Sequence, residues 1–127
     1  MGAGVDVLIV DDSNEFRKRL AMTLSKIGGV CVSEAKDANS SYDRLNDLHP
    51  DMVIIDIRLP DRSGIEILEH VKMILPETKV LMLTNYPYQE YISKCILAGA
   101  DYYLIKYRDM EKVVEIVRDY QCRSARE

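Results

Sequence analysis

The chain has 127 residues, of which 47% are hydrophobic and 30% charged, and its formal net charge is −4. This length and balance predict one soluble globular domain and exclude a disordered chain. The negative net charge and the lack of any Lys/Arg run argue against direct binding to nucleic acid. No apolar stretch approaches the ~20 residues that span a bilayer, and the first apolar run begins too near Met1 for a signal peptide, so we expect a cytoplasmic protein without a membrane anchor.

The first part of the chain alternates between apolar runs and helical patterns. Val7–Val10 predicts a strand, and Ser13 is a suitable N-cap for a helix that stops at Gly28-Gly29. Val30–Val32 predicts a second, short strand. Asp37 can cap a second helix, which ends before the next proline because the residue preceding proline disfavours helical geometry.

The alternation continues along the rest of the chain. A loop rich in turn residues separates the third strand from its helix, and Pro76 closes that helix. The predicted elements are, in order, a strand at Met52–Ile55, a loop at Leu59–Gly64, a helix from Ile65, a strand at Val80–Leu83, a helix at Tyr88–Ala98, a strand at Tyr102–Ile105 and a helix from about Asp109 to Tyr120.

Strands that are apolar throughout, rather than at every second residue, are typical of parallel sheets covered on both faces. Five strands alternating with five helices therefore predict a single α/β domain with a doubly wound, five-stranded parallel sheet. We expect this domain to span residues 5–121, with flexible termini at residues 1–4 and 122–127. Cys31 and Cys95 lie in apolar patterns and are expected to be buried rather than reactive.

Reactive polar groups follow four of the five predicted strands. Asp11-Asp12 follow the first strand, Asp56 the third, Thr84 the fourth and Lys106 the fifth. In doubly wound sheets the ligand site lies outside the carboxyl ends of the strands, so these groups should meet at one edge of the sheet. Clustered carboxylates require a cation, and hard oxygen ligands beside a site for phosphoryl oxygens favour Mg²⁺.

Asp56 is the best candidate nucleophile in this cluster. A carboxylate can accept a phosphoryl group as an aspartyl phosphate, and no histidine is paired with a serine or cysteine at the strand ends. Lys106 and the hydroxyl of Thr84 can bind phosphoryl oxygens. The alternative is that the strand-end residues merely cap the helices that follow, but four such ends together favour a functional site.

With these residues at this spacing, the chain resembles the receiver domain of bacterial two-component response regulators from about Val5 to Tyr120. The resemblance implies a flavodoxin-like sheet with strand order 2-1-3-4-5 and a role as a phosphoacceptor signalling module. The matching residues are Asp11-Asp12, Asp56, Leu59-Pro60, Gly64, Thr84, Ala98-Gly99-Ala100, Tyr103 and Lys106.

For the site, the resemblance implies that a sensor histidine kinase or a phosphotransfer protein donates a phosphoryl group to Asp56. It also implies that Lys106 and Thr84 hold phosphoryl oxygens. The implied ligands of Mg²⁺ are Asp12, Asp56 and the backbone carbonyl of Arg58, with Asp11 acting largely through a metal-bound water. No enzymatic turnover beyond self-phosphotransfer and autodephosphorylation is implied.

The resemblance further implies a conformational switch. Thr84 would move toward the phosphoryl group, and Tyr103 would turn inward into the vacated space, although without the resemblance Tyr103 would be assigned to the core. The surface formed by the fourth helix, the fifth strand and the fifth helix would then change its binding preferences. Its partner would be an unknown protein target, or a second copy of the chain in a dimer.

Two positions depart from the family pattern, and two loop residues are candidates for tuning reaction rates. Tyr107 stands where receivers often have proline, so we expect a trans peptide and an altered loop before the last helix. Asn85 stands where a small residue is usual, and it either narrows the site or offers an extra amide. Arg58 and Tyr86 occupy positions that flank the phosphoryl group, and we predict that they slow dephosphorylation unless they simply face solvent.

Two other functions stay open. One is a receiver fold kept as an unphosphorylated scaffold; the intact acidic set, Thr84 and Lys106 argue against it, whereas Asn85 and Tyr107 keep it open. The other is a Mg²⁺-dependent aspartyl phosphatase, although the chain lacks a second aspartate shortly after Asp56 and an insertion for a substrate cap. We favour a stand-alone protein, because residues 121–127 are too few for a DNA-binding helix-turn-helix; the alternative is a receiver cut from a longer regulator.

Overall fold

The computed structural model describes residues 4–126, and in this range five strands alternate with five helices. Residues 1–3 and 127, which were predicted to be flexible, lie outside the described residues. The strands are β1 Val5–Val10, β2 Val30–Ala35, β3 Met52–Ile55, β4 Lys79–Thr84 and β5 Tyr102–Ile105. The helices are α1 Asn14–Ser25, α2 Ala38–Leu48, α3 Gly64–Ile74, α4 Gln89–Leu97 and α5 Met110–Arg126.

The strands form one parallel sheet in the order β2-β1-β3-β4-β5, which confirms the predicted flavodoxin-like, doubly wound fold. The register sets the position of the functional residues. Val10 pairs with Ile55, so the residues that follow β1 and β3 begin side by side. Thr84 pairs with Ile105, so the chain after β5 leaves the sheet beside the end of β4.

The hydrophobic core consists of two layers, one on each face of the sheet. One layer packs the sheet against α2, α3 and α4, and the other packs it against α1 and α5. Successive residues of a strand point to opposite faces, so both faces of the central strands are apolar. In β1, for example, Leu8 and Val10 enter the first layer, whereas Val7 and Ile9 enter the second.

The two predicted helix caps are present. The hydroxyl oxygen of Ser13 accepts a hydrogen bond from the backbone N–H of Phe16, and the side chain of Asp37 forms a capping box with Ser40. Because Ser13 caps α1, the loop between β1 and α1 contains few residues. Asp11 and Asp12 are therefore confined to the edge of the sheet.

Some predicted boundaries and burials are wrong. β2 continues to Ala35, and α5 continues to Arg126, past its predicted end at Tyr120 and through residues assigned to a flexible terminus. Cys31 is exposed because β2 is an edge strand whose alternate residues face away from the core, whereas Cys95 is buried as predicted. Within the described range, no helix is long and apolar enough to cross a membrane.

Candidate functional site

The carboxyl ends of the strands bring the predicted site residues together. Carboxylate oxygens of Asp11, Asp12 and Asp56 lie within 4.8 Å of one another. Thr84, the last residue of β4, is fully buried, and its carbonyl oxygen accepts a hydrogen bond of 2.9 Å from the backbone N–H of Lys106. The carboxyl ends of the parallel strands thus bring an acidic cluster, a hydroxyl and an ammonium group together at one edge of the sheet.

Lys106 is paired with two of the three carboxylates. Its Nζ lies 2.6 Å from Oδ2 of Asp11 and 3.0 Å from Oδ2 of Asp56, and it lies 4.4 Å from the centre of the Phe16 ring. Burial by itself would lower the pKa of Lys106, but contact with Asp11 and Asp56 raises that pKa overall. Lys106 is therefore a cation at neutral pH and neutralises one of the three negative charges.

The two carboxylate oxygens of Asp56 have different surroundings. Oδ2 accepts a hydrogen bond of 3.0 Å from Lys106, whereas Oδ1 is buried and has no hydrogen-bond partner within the described residues. Burial raises the pKa of Asp56, and the Asp11 carboxylate adds to this rise, while the Lys106 ammonium opposes it. A buried polar atom without a partner is rare in proteins, so Oδ1 marks a position suited to a ligand or a cation.

The protein uses the bonding capacity of the three carboxylates unequally. Oδ1 of Asp11 accepts a hydrogen bond from the backbone N–H of Ser13 at 2.8 Å, and Oδ2 is bound to Lys106. Within residues 4–126, no hydrogen bond or ion pair engages the exposed carboxylate of Asp12. Oδ1 of Asp56 likewise has no hydrogen-bond partner in this range. Hard oxygens that are close together and partly unused fit a divalent cation such as Mg²⁺, which binds one or two carboxylates and retains water.

The backbone of Tyr86 connects the two predicted switch residues. Its N–H donates a hydrogen bond of 3.4 Å to the hydroxyl oxygen of Thr84, and its carbonyl oxygen accepts one of 2.6 Å from the hydroxyl of Tyr103. Tyr103 is half-buried against the first core layer, and burial raises the pKa of Tyr103 to about 12. Thr84 and Tyr103 therefore bond to opposite ends of one residue in the loop between β4 and α4.

Comparison with known proteins assigns this arrangement to a family. A family model described as the response regulator receiver domain matches residues 7–118. The chain belongs to this family. It is thus a receiver domain of two-component signalling systems, as the resemblance implied.

Individual relatives agree with this assignment. The receiver is 30% identical over 115 residues to the response regulator protein VraR of Staphylococcus saprophyticus, covering 90% of this chain and 55% of VraR. It is 30% identical over 112 residues to the chemotaxis protein CheY of Thermotoga maritima, covering 88% of this chain and 93% of CheY. A CheY-like receiver domain structure from Methanospirillum hungatei matches with a TM-score of 0.86 at 25% identity, covering 96% of this chain and 97% of that one. The receiver therefore spans about half the length of VraR and nearly all of CheY.

The predicted rate-tuning residues Arg58 and Tyr86 contact each other. The guanidinium carbon of exposed Arg58 lies 3.7 Å from the centre of the Tyr86 ring, and its Nη2 lies 3.3 Å from the hydroxyl of Tyr91. The hydrogen bond to Tyr91 raises the pKa of Arg58. Asn85, the residue before Tyr86, is exposed. The sequence analysis did not predict the contact of Tyr91 with Arg58, because this contact joins α4 to the loop after β3 and has no local sequence pattern.

Asp109, rather than a proline, organises the loop that presents Lys106. Asp109 is buried, and its Oδ2 accepts hydrogen bonds from the guanidinium of Arg108 at 3.0 Å and from the backbone N–H of Ile105 at 2.9 Å. These contacts lower the pKa of Asp109 to about 2, and the hydrogen bond from Arg108 has the largest effect. The described residues contain no cis peptide bond, so the bond between Lys106 and Tyr107 is trans as predicted.

Gly64 lets α3 begin directly against Asp56. Its N–H donates a hydrogen bond of 2.6 Å to the carbonyl oxygen of Ile57. A Cβ atom at position 64 would overlap the carbonyl oxygen of Asp56 and lie 2.8 Å from the carbonyl carbon. Glycine is needed here for space, and this explains its place among the residues that resemble the family pattern.

Arg17 is a second buried charged residue that the sequence analysis missed. It lies in α1 and is 6% exposed. Arg17 precedes Leu20 by three residues and Ala21 by four, and both of these side chains face the core. This spacing places Arg17 on the inward face of the helix, and it is the signal that could have identified the residue.

Proposed function

We propose that this receiver accepts a phosphoryl group on Asp56 in a Mg²⁺-dependent reaction and thereby regulates a partner protein. The observation that carries the proposal is the buried Oδ1 of Asp56, which lacks a hydrogen-bond partner in the described part of the chain, while Lys106 binds the other oxygen. A phosphoacceptor needs an oxygen that is free to form a new bond and a nearby cation for the incoming negative charge. Asp56 meets both requirements.

In the proposed step, a carboxylate oxygen of Asp56 attacks the phosphorus of a phosphohistidine on a sensor histidine kinase or a phosphotransfer protein. A new oxygen–phosphorus bond forms, and the phosphorus–nitrogen bond of the donor breaks. The electron pair of the broken bond leaves with the imidazole nitrogen, which takes up a proton. Lys106 remains beside the reacting oxygens and stabilises the charge that develops on them.

The acidic cluster would hold the cation that this reaction needs. Asp12 and Asp56 would bind Mg²⁺ together with the backbone carbonyl of Arg58, and Asp11 would contribute through a water. When bound, the ion would withdraw negative charge from the phosphoryl oxygens. Asp11 is already held by Lys106 and by a backbone N–H, so its carboxylate also keeps the ammonium group of Lys106 in place.

Thr84 and Tyr103 form the proposed switch. Phosphorylation adds three acceptor oxygens at Asp56, and the Thr84 hydroxyl can donate to one of them by moving toward the phosphoryl group. Tyr86 bonds to both Thr84 and Tyr103, so this movement displaces its loop and alters the α4-β5-α5 face. A differential interaction of ~1–3 kcal/mol would change the affinity for a target protein or a second copy ~5- to 150-fold.

The contact between Arg58 and Tyr86 supports a role in phosphoryl lifetime. We propose that these two side chains, with Asn85, restrict the access of water to phosphorylated Asp56. The double variant Arg58→Ser and Tyr86→Ser should lose its phosphoryl group severalfold faster than the parent. The intact mass, followed over time after the donor is removed, measures this lifetime. An unchanged lifetime would show that both residues only face solvent.

A groove beside the site offers a surface for the phosphodonor. It has a volume of about 630 Å³, lies between α1 and α5, and has Lys106 at its margin. A helix of the donor can place apolar side chains in such a groove while presenting its phosphohistidine to Asp56. The apolar side chains that line the groove are Phe16, Leu20, Met110 and Val114.

We also propose a cytoplasmic location and a signalling role without substrate turnover. The three cysteines are free, which suits a reducing compartment. The proposed partners are a kinase or phosphotransfer protein as donor and a protein target as output.

The proposal is tested by mixing the protein with Mg²⁺ and a small-molecule phosphodonor, quenching rapidly in acid and measuring the intact mass. The matched variants are Asp56→Asn and Asp43→Asn, since Asp43 is an exposed aspartate of α2. We expect one phosphoryl increment in the parent and in Asp43→Asn, no increment in Asp56→Asn, and none when Mg²⁺ is chelated.

Other outcomes would replace the proposal. If neither the small donor nor a phosphorylated histidine phosphotransfer protein modifies the parent, the receiver fold serves as an unphosphorylated scaffold. If the protein instead hydrolyses small phosphate esters through many turnovers, it is an aspartyl phosphatase.

A further inference from the structure

The side chain of Arg17 joins three structural elements beside the acidic cluster. Its Nε donates to Oε1 of Glu34 in β2 at 2.9 Å, and its Nη2 donates to Oδ1 of Asn14 at the start of α1 at 2.6 Å. Its Nη1 donates to the backbone carbonyl oxygen of Asp11 at 2.7 Å. The planar guanidinium, with donors pointing in fixed directions, therefore links α1 and β2 to the loop after β1.

The contact with the Asp11 carbonyl bears directly on Asp12. That carbonyl belongs to the same planar peptide group as the N–H of Asp12. Holding the carbonyl holds the plane of this peptide, and so restricts the position of the Asp12 Cα, from which the side chain leaves the backbone. Within residues 4–126 the Asp12 carboxylate has no hydrogen bond or ion pair of its own, so its placement depends on the backbone.

The positive charge of Arg17 is already neutralised inside the protein. Among the described residues its ion-pair partner is Glu34, at 2.9 Å, and the Arg17 side chain is 8% exposed. Its contact with the acidic cluster is made to a backbone oxygen rather than to a carboxylate. Arg17 therefore acts on the site through geometry and not by competing with a cation for the carboxylates.

We propose that Arg17 is a positioning residue for the divalent cation at Asp11, Asp12 and Asp56. By fixing the peptide between Asp11 and Asp12, it holds an Asp12 oxygen near Asp56 before the cation arrives. Loss of residues that orient metal ligands typically weakens metal binding ~10- to 100-fold, and we expect a change in this range. This inference rests on the proposed function, because it assumes that the acidic cluster binds Mg²⁺.

The test compares Arg17→Lys and Arg17→Gln with two control variants. Arg19→Gln removes an exposed arginine of the same helix, which pairs with the exposed Glu15, so it controls for net charge. Lys72→Gln removes a half-buried cation that bonds to Asp101 at the opposite edge of the sheet, so it controls for a general loss of stability. Circular dichroism establishes that each variant is folded.

Mg²⁺ binding is measured directly by calorimetry, and the phosphorylation rate is then measured as a function of Mg²⁺ concentration. We expect the Arg17 variants to raise both the dissociation constant and the half-saturating Mg²⁺ concentration ~10-fold or more, while the rate at saturating Mg²⁺ stays within about twofold of the parent. The two control variants should bind Mg²⁺ like the parent. If Arg17→Gln does not fold, Arg17→Lys and Glu34→Gln provide the same measurement.

Folded Arg17 variants that bind Mg²⁺ with the parent's affinity would overturn the inference and leave the proposed function intact. An equal loss of affinity in Lys72→Gln would also overturn it, because the effect would then follow from stability alone. If the parent itself binds no Mg²⁺, the proposed function fails, and the positioning role fails with it.

Discussion

Replacing Gly64 with alanine tests how closely α3 packs against the proposed acceptor. The added Cβ would overlap the carbonyl oxygen of Asp56, and it would lie 2.8 Å from the carbonyl carbon of that residue and 2.9 Å from Cγ2 of Ile55. Two of these three atoms belong to the backbone and cannot rotate away. Since the φ angle of Gly64 is not positive, the effect of the substitution comes from this overlap and not from backbone strain.

The size of the effect follows from the kind of contact. Overpacking a core typically costs ~1–3 kcal/mol, and the better helix propensity of alanine offsets at most ~1 kcal/mol. Because backbone atoms must move, we expect the overpacking cost to exceed this range, at ~4 kcal/mol, and the net loss in the free energy of unfolding to be ~3 kcal/mol. For a domain of this length, such a loss lowers the Tm by ~10–15 °C.

Urea titration and thermal unfolding measure this loss, and Gly28→Ala is the matched control. A Cβ at Gly28 would meet no atom within 4 Å, so Gly28→Ala should be neutral or stabilising by up to ~1 kcal/mol. Gly64→Ala should also slow phosphorylation, because the backbone of Asp56 is displaced. A loss of less than ~1 kcal/mol, or equal stability of the two variants, would refute the packing argument.

Removing the buried charge of Asp56 with Asp56→Asn should raise the Tm at neutral pH without divalent cations. Burial raises the pKa of Asp56, so the charged form of Asp56 is disfavoured in the folded state. In the variant, Lys106 still pairs with Asp11. A Tm below that of the parent would contradict this prediction. The pKa of Asp109 is lowered from 3.8 to about 2, so its contribution to stability is present above about pH 4 and is lost as the pH falls toward 2. Urea titrations at several acidic pH values should therefore show a smaller loss in Asp109→Asn than in the parent, and equal losses would be evidence against this linkage. In an absorbance titration of the tyrosines, Tyr103→Phe should remove one group with a pKa of about 12. The variant should also lose ~1 kcal/mol of stability, because the hydrogen bond to Tyr86 is lost. An unchanged titration would exclude the assignment of this pKa to Tyr103.

The sheet and the strand-end residues were predictable because both follow from local patterns and one topological rule. The apolar runs Val7–Val10 and Met52–Ile55 have no polar residue to place on a solvent face, so they indicate central parallel strands. Once parallel strands are accepted, Asp11 and Asp56 must lie at the same edge, and the pairing of Val10 with Ile55 makes them neighbours. The clustering of these residues could therefore be predicted from the direction of the strands and their order in the sheet.

The residues that escaped prediction depend on contacts between distant parts of the chain. Arginine is normally assigned to the surface, and Arg17 can be buried only because Glu34 of β2 supplies a carboxylate seventeen residues later. Cys31 was misplaced because its burial depends on the position of β2 at the sheet edge, which the apolar run does not encode. The contact of Tyr91 with Arg58 spans thirty-three residues and follows from the packing of α4.

The pairing of Lys106 with Asp56 has a consequence for how a signal leaves the site. In the proposed phosphorylation, the negative charge of the Asp56 carboxylate disappears as the acyl phosphate forms, while the phosphoryl group brings about −1.5 to −2. The net change is at most about one charge, placed beside an ammonium group, and at 0.1 M salt its field decays over about 10 Å. In the proposed switch, the signal would therefore pass as displacement, through the backbone of Tyr86, to which Thr84 and Tyr103 both bond. Output from this receiver should persist at salt concentrations that would silence a switch based on long-range electrostatics.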